Sequence, residues 1–96
     1  MQDELATAVA RFPLGHTTMT SGAHAELTEQ EILAAIRRHC RGDWGDLDPP
    51  DKTRNDEALR TEGRLVSRYR SARGVIFYII TECDRTATTV LLPHEY

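Results

Sequence analysis

The sequence lacks any long hydrophobic run, contains only two cysteines, and draws just 6% of its 96 residues from the aromatic types. Its longest unbroken apolar stretch, Val75–Ile80, is far shorter than the roughly 20 residues that a membrane-spanning helix needs. The first residues, Met1–Glu4, contain neither the basic nor the apolar region of a signal peptide. We therefore expect a cytoplasmic protein that has no membrane partner.

The two cysteines, Cys40 and Cys83, show no CxxC spacing and are too few for a disulfide framework. We expect free thiols that serve as small apolar groups. Cys83, Asp84 and His94 include the residue types of a thiol nucleophile site. However, Cys83 ends a predicted strand, whereas a reactive thiolate is favoured at a helix N-terminus or among cations. The sequence thus predicts no catalytic residue, no metal site and no cofactor.

Charges are nearly balanced over the whole chain, with 12 Lys and Arg against 15 Asp and Glu and a net charge of −3. Direct nonspecific binding of nucleic acid is not expected at this charge, because phosphate contacts require a basic surface. The charges are nevertheless segregated, since acidic residues dominate positions 43–57 and arginines dominate positions 60–73. Lys52 is the only lysine, so cationic recognition would rely on the forked guanidinium group, which suits carboxylates and phosphates.

The spacing of apolar residues predicts a single α+β domain over residues 1–96, in the order β-α-α-β-β-β. Thr28 and Glu31 form a capping box that begins the first main helix, and Gly42 ends it. The second main helix is predicted from Pro49 to Glu62. Asn55 lies near its narrow buried face and needs hydrogen-bond partners, for which the loop 43–48 is the candidate.

The strands complete a mostly antiparallel sheet of three or four strands, with both main helices packed on one face. A short first strand is predicted within residues 14–20, and a three-stranded meander within residues 64–71, 75–83 and 87–92. Ser21 and Gly22 are predicted to form a break. Residues 1–11 form either a short amphipathic helix or a loose N-terminal arm.

Two surfaces are candidates for binding. The first is acidic and surrounds an aromatic residue, which is a pattern found at interface hot spots; it comprises Asp43, Trp44, Asp46, Asp48 and Asp51. In the alternative interpretation, these carboxylates cap a helix and Trp44 pins the loop to the core. The second surface is basic and follows one strand face and the next turn; it comprises Arg64, Arg68, Arg70 and Arg73. Its alternative interpretation is a solvated sheet face paired with acids such as Glu82.

Two longer motifs carry a resemblance to a known group of proteins. They are Gly42–Leu47, which reads GDWGDL, and Ile80–Tyr96, which reads ITExDRxATTVLLPxEY. Over residues 12–96 the chain resembles a family of short bacterial proteins carried on plasmids, integrative elements and prophages. That family has no settled activity, so the resemblance implies a mobile-element setting in a bacterial cytosol and does not imply a reaction.

This setting leads to three functional hypotheses. The first is a non-enzymatic accessory protein that binds a partner through the acidic surface, as an inhibitor of a nucleic-acid-targeting host defence complex, in the manner of anti-CRISPR proteins. The second, from element order alone, is a RelE-like toxin that cleaves RNA with the basic strand. The third is a small homodimeric structural or regulatory module, because a meander leaves a sheet edge that can pair with a second copy.

Overall fold

A computed structural model describes residues 10–96 of the chain. The helices are α1 (Ser21–Glu26), α2 (Glu29–Cys40) and α3 (Pro49–Thr61), and Pro93–Glu95 form one 3₁₀ turn. The strands are β1 (His16–Met19), β2 (Leu65–Arg70), β3 (Ile76–Thr81) and β4 (Ala87–Leu91). The predicted N-terminal arm lies outside the described residues except for its last two positions.

The strands form one sheet in the order β1-β4-β3-β2. The predicted meander is confirmed, because β2 pairs antiparallel with β3, and β3 pairs antiparallel with β4. The first strand adds to the far edge in parallel with β4, so that Thr18 lies beside Thr89. The α+β class, the mostly antiparallel sheet and the two main helices are therefore as predicted.

The core lies between the helices and one sheet face. Residues of α1 and α2 pack on Tyr69, Phe77, Ile79 and Val90, which alternate along the three antiparallel strands. A second cluster joins α3 to the start of β2 and to the loop before α3; it contains Phe12, Cys40, Trp44, Ala58 and Leu65. The period of two in β2 places Leu65, Ser67 and Tyr69 under the helices, so the arginines between them lie on the opposite face.

The boundaries of α2 agree with its predicted caps more closely than the boundaries of α1 and α3 agree with theirs. The capping box of Thr28 and Glu31 is present in full. The predicted break at Ser21 is wrong, because α1 begins there. The hydroxyl of Thr20 caps its start by accepting from the N–H of Ala23, and the distant Glu95 adds support, since it accepts from the N–H of Gly22 and contacts the same hydroxyl. Such long-range support cannot be inferred from local turn signals.

The C-terminus of α3 is also completed from far along the chain. The helix is followed by a left-handed residue, Glu62, which is the last residue of the predicted helix. The guanidinium group of Arg85 donates hydrogen bonds to the carbonyl oxygens of Ala58 and Gly63, at 3.0 and 2.6 Å. The Ala58 carbonyl also accepts from the backbone N–H groups of Glu62 and Gly63, so Arg85 adds a further link between the end of α3 and the turn before β4.

The outer edge of β2 is closed by residues that precede it in sequence. The amide side chain of Asn55 donates to the carbonyl oxygen of Val66 and accepts from its N–H, at 2.6 and 3.2 Å. The loop 44–46 pairs with the next outward residue, Arg68, through the carbonyl of Trp44 and the N–H of Asp46. The expectation that the loop supplies the partners of Asn55 is therefore wrong. Instead, the loop and Asn55 both bind the backbone along the free edge of β2.

Among residues 10–96, no helix is both long and apolar enough to cross a membrane.

We expect Asn55→Ala to lower the free energy of unfolding by about 1–3 kcal/mol, because it leaves the N–H and carbonyl of Val66 without partners beside a buried site. Urea denaturation measures the change. Lys52→Ala, at an exposed position of the same helix, is the control and should change stability by less than about 0.5 kcal/mol. Equal effects of the two substitutions would contradict the edge-capping role.

Candidate functional site

Asp43, the first residue of the predicted acidic surface, is half-buried and bonded within the fold. Its carboxylate accepts hydrogen bonds from Nε and Nη2 of Arg38 at 2.8 and 3.2 Å, and a third from the backbone N–H of Gly45. The hydrogen bond from Arg38 holds the pKa of Asp43 below its usual value. Asp43 therefore orders the loop that closes the β2 edge, and its charge is neutralised locally.

Trp44 lies in the core, which corrects the expectation that it is exposed at a contact surface. Only 3% of the residue is exposed, and its ring packs near Phe12 and His39. The indole Nε1 donates to the carboxylate of Asp56 at 3.0 Å, so the one polar atom of the ring is satisfied at the surface. The interpretation of Trp44 as a residue that pins the loop is the one that agrees with this burial.

The remaining acidic residues form a smaller surface than predicted. Asp46 and Asp48 are exposed at the two sides of Leu47, and Asp48 precedes α3 without a side-chain capping bond. Asp51 pairs with Arg54 one turn later, at 2.5 Å. Of the five predicted residues, Asp46, Asp48 and Asp51 thus remain accessible at the start of α3.

The basic strand keeps three of its four predicted members together. Arg64, Arg68 and Arg70 alternate with buried residues and lie on the sheet face away from α2. Arg73 is separated from them, since its guanidinium group donates to the carbonyl oxygen of Glu26 at 2.7 Å. We use the name arginine face for the surface formed by Arg64, Val66, Arg68 and Arg70 with Ile76 and Tyr78 of β3.

A groove of about 420 Å³ opens where the arginine face meets the start of α3. Its apolar lining comes from Leu47, Val66 and Tyr78. Its charged and aromatic rim is Asp51, Arg54, Arg64 and Tyr96. The groove therefore brings one residue of the predicted acidic surface beside one residue of the predicted basic surface, although the sequence separates them by a helix.

Tyr96 supplies an exposed aromatic ring at this groove. It is 63% exposed, and its ring centroid lies 5.7 Å from that of Tyr78 at an interplanar angle of 46°. The guanidinium carbon of Arg64 lies 5.5 Å from the centroid of the Tyr96 ring, and Arg64 Nη1 donates to the Tyr96 hydroxyl. Arg64 is also paired with Glu82 across the strands at 3.5 Å. The outer surface of the Tyr96 ring is left accessible.

On the helix-covered face, a buried polar chain surrounds His39. The imidazole is fully buried, with Nδ1 2.6 Å from the hydroxyl of Ser67 and Nε2 2.9 Å from the hydroxyl of Thr81. Thr81 lies 2.7 Å from the hydroxyl of Thr88, which donates to the carbonyl oxygen of Leu14. Because each hydroxyl has a single proton, this last bond fixes the direction of all the others.

The direction follows step by step from Leu14. Thr88 uses its proton on that carbonyl, so Thr81 donates to Thr88, and His39 Nε2–H donates to Thr81. A neutral imidazole then has an unprotonated Nδ1, which accepts from Ser67. Burial, helped by the nearby charge of Arg85, lowers the pKa of His39 to about 3, which agrees with this neutral state. Because Ser67 and His39 are fully buried and hydrogen-bonded, this Ser–His pair stabilises the fold and is inaccessible to a substrate.

Neither cysteine thiol lines the groove as a candidate nucleophile. Cys40 is buried, and burial raises the pKa of its thiol. Cys83 is exposed in the turn after β3. Its neighbour Asp84 accepts two hydrogen bonds from Thr86, which lower the pKa of Asp84. Within the described part of the chain, no three His, Cys, Asp or Glu side chains are grouped closely enough to hold a metal ion.

In comparisons with known proteins, no family model matches this chain, and no curated protein or solved structure matches it.

We expect stability to fall by about 2 kcal/mol between about pH 7 and pH 5 through His39 alone. The unfolded imidazole takes up a proton below its ordinary pKa near 6.5, whereas the folded one stays neutral until about pH 3. Its contribution is therefore complete above pH 6.5 and is lost as the pH falls toward 3. The carboxyl groups with lowered pKa, which titrate below this window, are Glu31, Asp43, Asp84 and Glu95.

Urea unfolding as a function of pH measures this loss, with His39→Gln as the test variant and the exposed His94→Gln as its control. The slope between about pH 7 and pH 5 should shrink in the first and persist in the second. Should His39→Gln fail to fold, the imidazole resonances of the unsubstituted protein decide the matter, because a His39 signal that titrates near pH 6.5 would refute the buried neutral state.

Proposed function

We propose that this chain is a non-enzymatic binding protein whose partner contacts the arginine face and the adjoining groove. The observation that carries the proposal is the groove itself, which has an apolar floor, an exposed tyrosine and a rim of both charges. Protein binding sites combine these features, with Tyr and Arg enriched at the residues that contribute most to affinity.

The distribution of reactive groups supports binding over catalysis. His39, Ser67, Thr81 and Thr88 are each fully buried and hydrogen-bonded to one another. The side chains that remain accessible at the groove are guanidinium groups, a carboxylate and phenol rings, which recognise charged and planar groups. The groups best placed for proton transfer are therefore separated from the surface that is best suited to contact.

The setting of the protein is part of the same proposal. In the mobile-element setting that the sequence resemblance implies, the partner belongs to a host complex that handles nucleic acid, and the protein acts as an inhibitor by occupying it. Asp51, which lines the groove, and the exposed Asp46 and Asp48 before α3 supply the acidic part of the contact. Buried Trp44 and paired Asp43 act only indirectly, by holding the loop.

We expect the double variant Arg64→Glu and Tyr96→Ala to lose at least tenfold in partner affinity, because both side chains form the rim of the groove. Affinity capture from a bacterial host with active defence systems, followed by titration of the captured partner, measures the change. Arg64 is solvent-exposed, so its loss should cost less than about 1 kcal/mol of stability.

The matched control is Arg37→Glu, which makes the same charge reversal at an exposed position of α2, on the other side of the sheet. It should capture the partner as the unsubstituted protein does. Equal capture by the double variant and the control would contradict the proposal, and Lys substitutions at Asp46 and Asp48 then test whether the acidic residues alone make the contact.

The two other hypotheses remain open to direct tests. An RNA-cleaving toxin would arrest bacterial growth on expression, and alanine at Arg64, Arg68 and Arg70 would relieve the arrest; harmless expression counts against it. A homodimer would use the edge of β1, since β2 is capped by Asn55 and the loop 44–46. Light scattering at several concentrations separates a dimer from a monomer.

A further inference from the structure

The arginine face concentrates positive charge in an otherwise acidic protein. Four arginines lie on it or at its groove, whereas among residues 10–96 two carboxylates pair with them, Asp51 with Arg54 and Glu82 with Arg64. Within residues 10–96, no carboxylate lies within 4.0 Å of the guanidinium groups of Arg68 and Arg70. The net charge of −3 describes the whole chain and therefore does not describe this surface.

The arginines follow a line along one strand. Arg68 and Arg70 are two residues apart, which corresponds to about 7 Å along a β-strand, and Arg64 lies a further four residues back. A row of guanidinium groups on a strand fits a ligand that carries regularly repeated negative charge along an extended backbone. It fits an isolated anion less well, because the backbone spacing distributes the arginines along the strand.

The aromatic rings lie beside this line and not within the core. Tyr78 is on β3, directly opposite Arg68 of β2. Tyr96 packs against Tyr78 and keeps 63% of its surface exposed, with its ring held in place by Arg64. A fixed, exposed ring beside a row of arginines is the arrangement by which proteins bind single-stranded nucleic acid, with bases on the rings and phosphates on the cations.

From these observations we infer that the arginine face binds a single strand of nucleic acid, with phosphates along Arg64, Arg68 and Arg70 and one base stacked on Tyr96. This inference rests on the proposed function, because it names the partner class for the same surface. A duplex fits less well, since its base faces are already stacked and leave Tyr96 unused. An acidic protein segment would engage the arginines and could also pack on the exposed ring, so the competition experiment below separates it from a nucleic-acid strand.

Fluorescence anisotropy with labelled oligo-dT and oligo-U of about 12 nucleotides tests the inference at about 50 mM salt. We expect saturable binding whose affinity falls with salt, with a log–log slope no steeper than about −3 for four arginines. Tyr96→Ala should weaken binding at least fivefold, the loss of about one stacked base. Comparison of oligo-U with oligo-dU, which carries the same base, shows whether the 2′-hydroxyl group contributes.

The double variant Arg68→Gln and Arg70→Gln isolates the phosphate contacts. It should reduce the salt slope by about 1.4, at about 0.7 for each lost contact, whereas Arg37→Gln on α2 should leave it unchanged. Circular dichroism melting of each variant verifies that the fold is intact. A duplex of the same sequence and a poly-glutamate peptide serve as competing ligands, and both should displace the strand poorly.

Three results would overturn the inference: no binding of either strand, equal binding by the Arg68 and Arg70 double variant, or displacement by poly-glutamate as effective as by unlabelled strand. The last result would identify an acidic protein segment as the occupant. In one outcome, the Arg64→Glu and Tyr96→Ala double variant loses the captured partner while the unsubstituted protein binds no strand. That pair of results would refute this inference and leave the proposed function standing. Strand binding that these two substitutions do not change would refute the inference alone, because the strand would then lie on another surface.

Discussion

The hydrogen-bonded chain through His39 is the interaction on which the rest of the fold depends. It joins α2, β2, β3, β4 and the segment before β1 through Ser67, Thr81, Thr88 and the carbonyl of Leu14. Each member is buried, and within residues 10–96 every buried side-chain nitrogen or oxygen has a partner. A polar chain of this kind rigidifies a core only when it is fully satisfied, because one missing member leaves a buried group without a hydrogen bond.

The two sequence motifs acquire physical roles within this frame. In GDWGDL, Asp43 pairs with Arg38, Trp44 fills the core, and Gly45 takes a positive φ where an added Cβ would collide with the backbone of Arg68. In the last motif, Arg85 completes the end of α3 and Glu95 binds the start of α1. Most of these residues therefore hold elements together across long stretches of sequence. The exceptions are Glu82 and Tyr96, which face the arginines instead.

Local patterns predicted the elements well, because their signals lie within one or two turns of chain. The capping box at Thr28, the proline start of α3 and the alternation in β2 all appear where the sequence places them. Contacts between distant residues could not be predicted in this way. The burial of Trp44, the bonds of Asn55 to Val66 and the start of α1 under Glu95 each require the tertiary fold. The buried network is visible in the sequence in one way. Ser67 and Thr81 are polar residues at strand positions where the alternation of two predicts buried apolar residues.

The candidate site was predicted as two separate surfaces, and the fold explains why they adjoin. Capping of the β2 edge by Asn55 draws α3 alongside the strand, so the acidic first turn of the helix lies beside Arg64. The face of β2 that carries the arginines is the one turned away from α2. Arg70 is exposed and Arg68 is partly buried, and within residues 10–96 neither guanidinium group pairs with a carboxylate, so the fold does not require these two charges. Their side chains can therefore be changed without loss of the core, which makes contact chemistry on this face separable from folding.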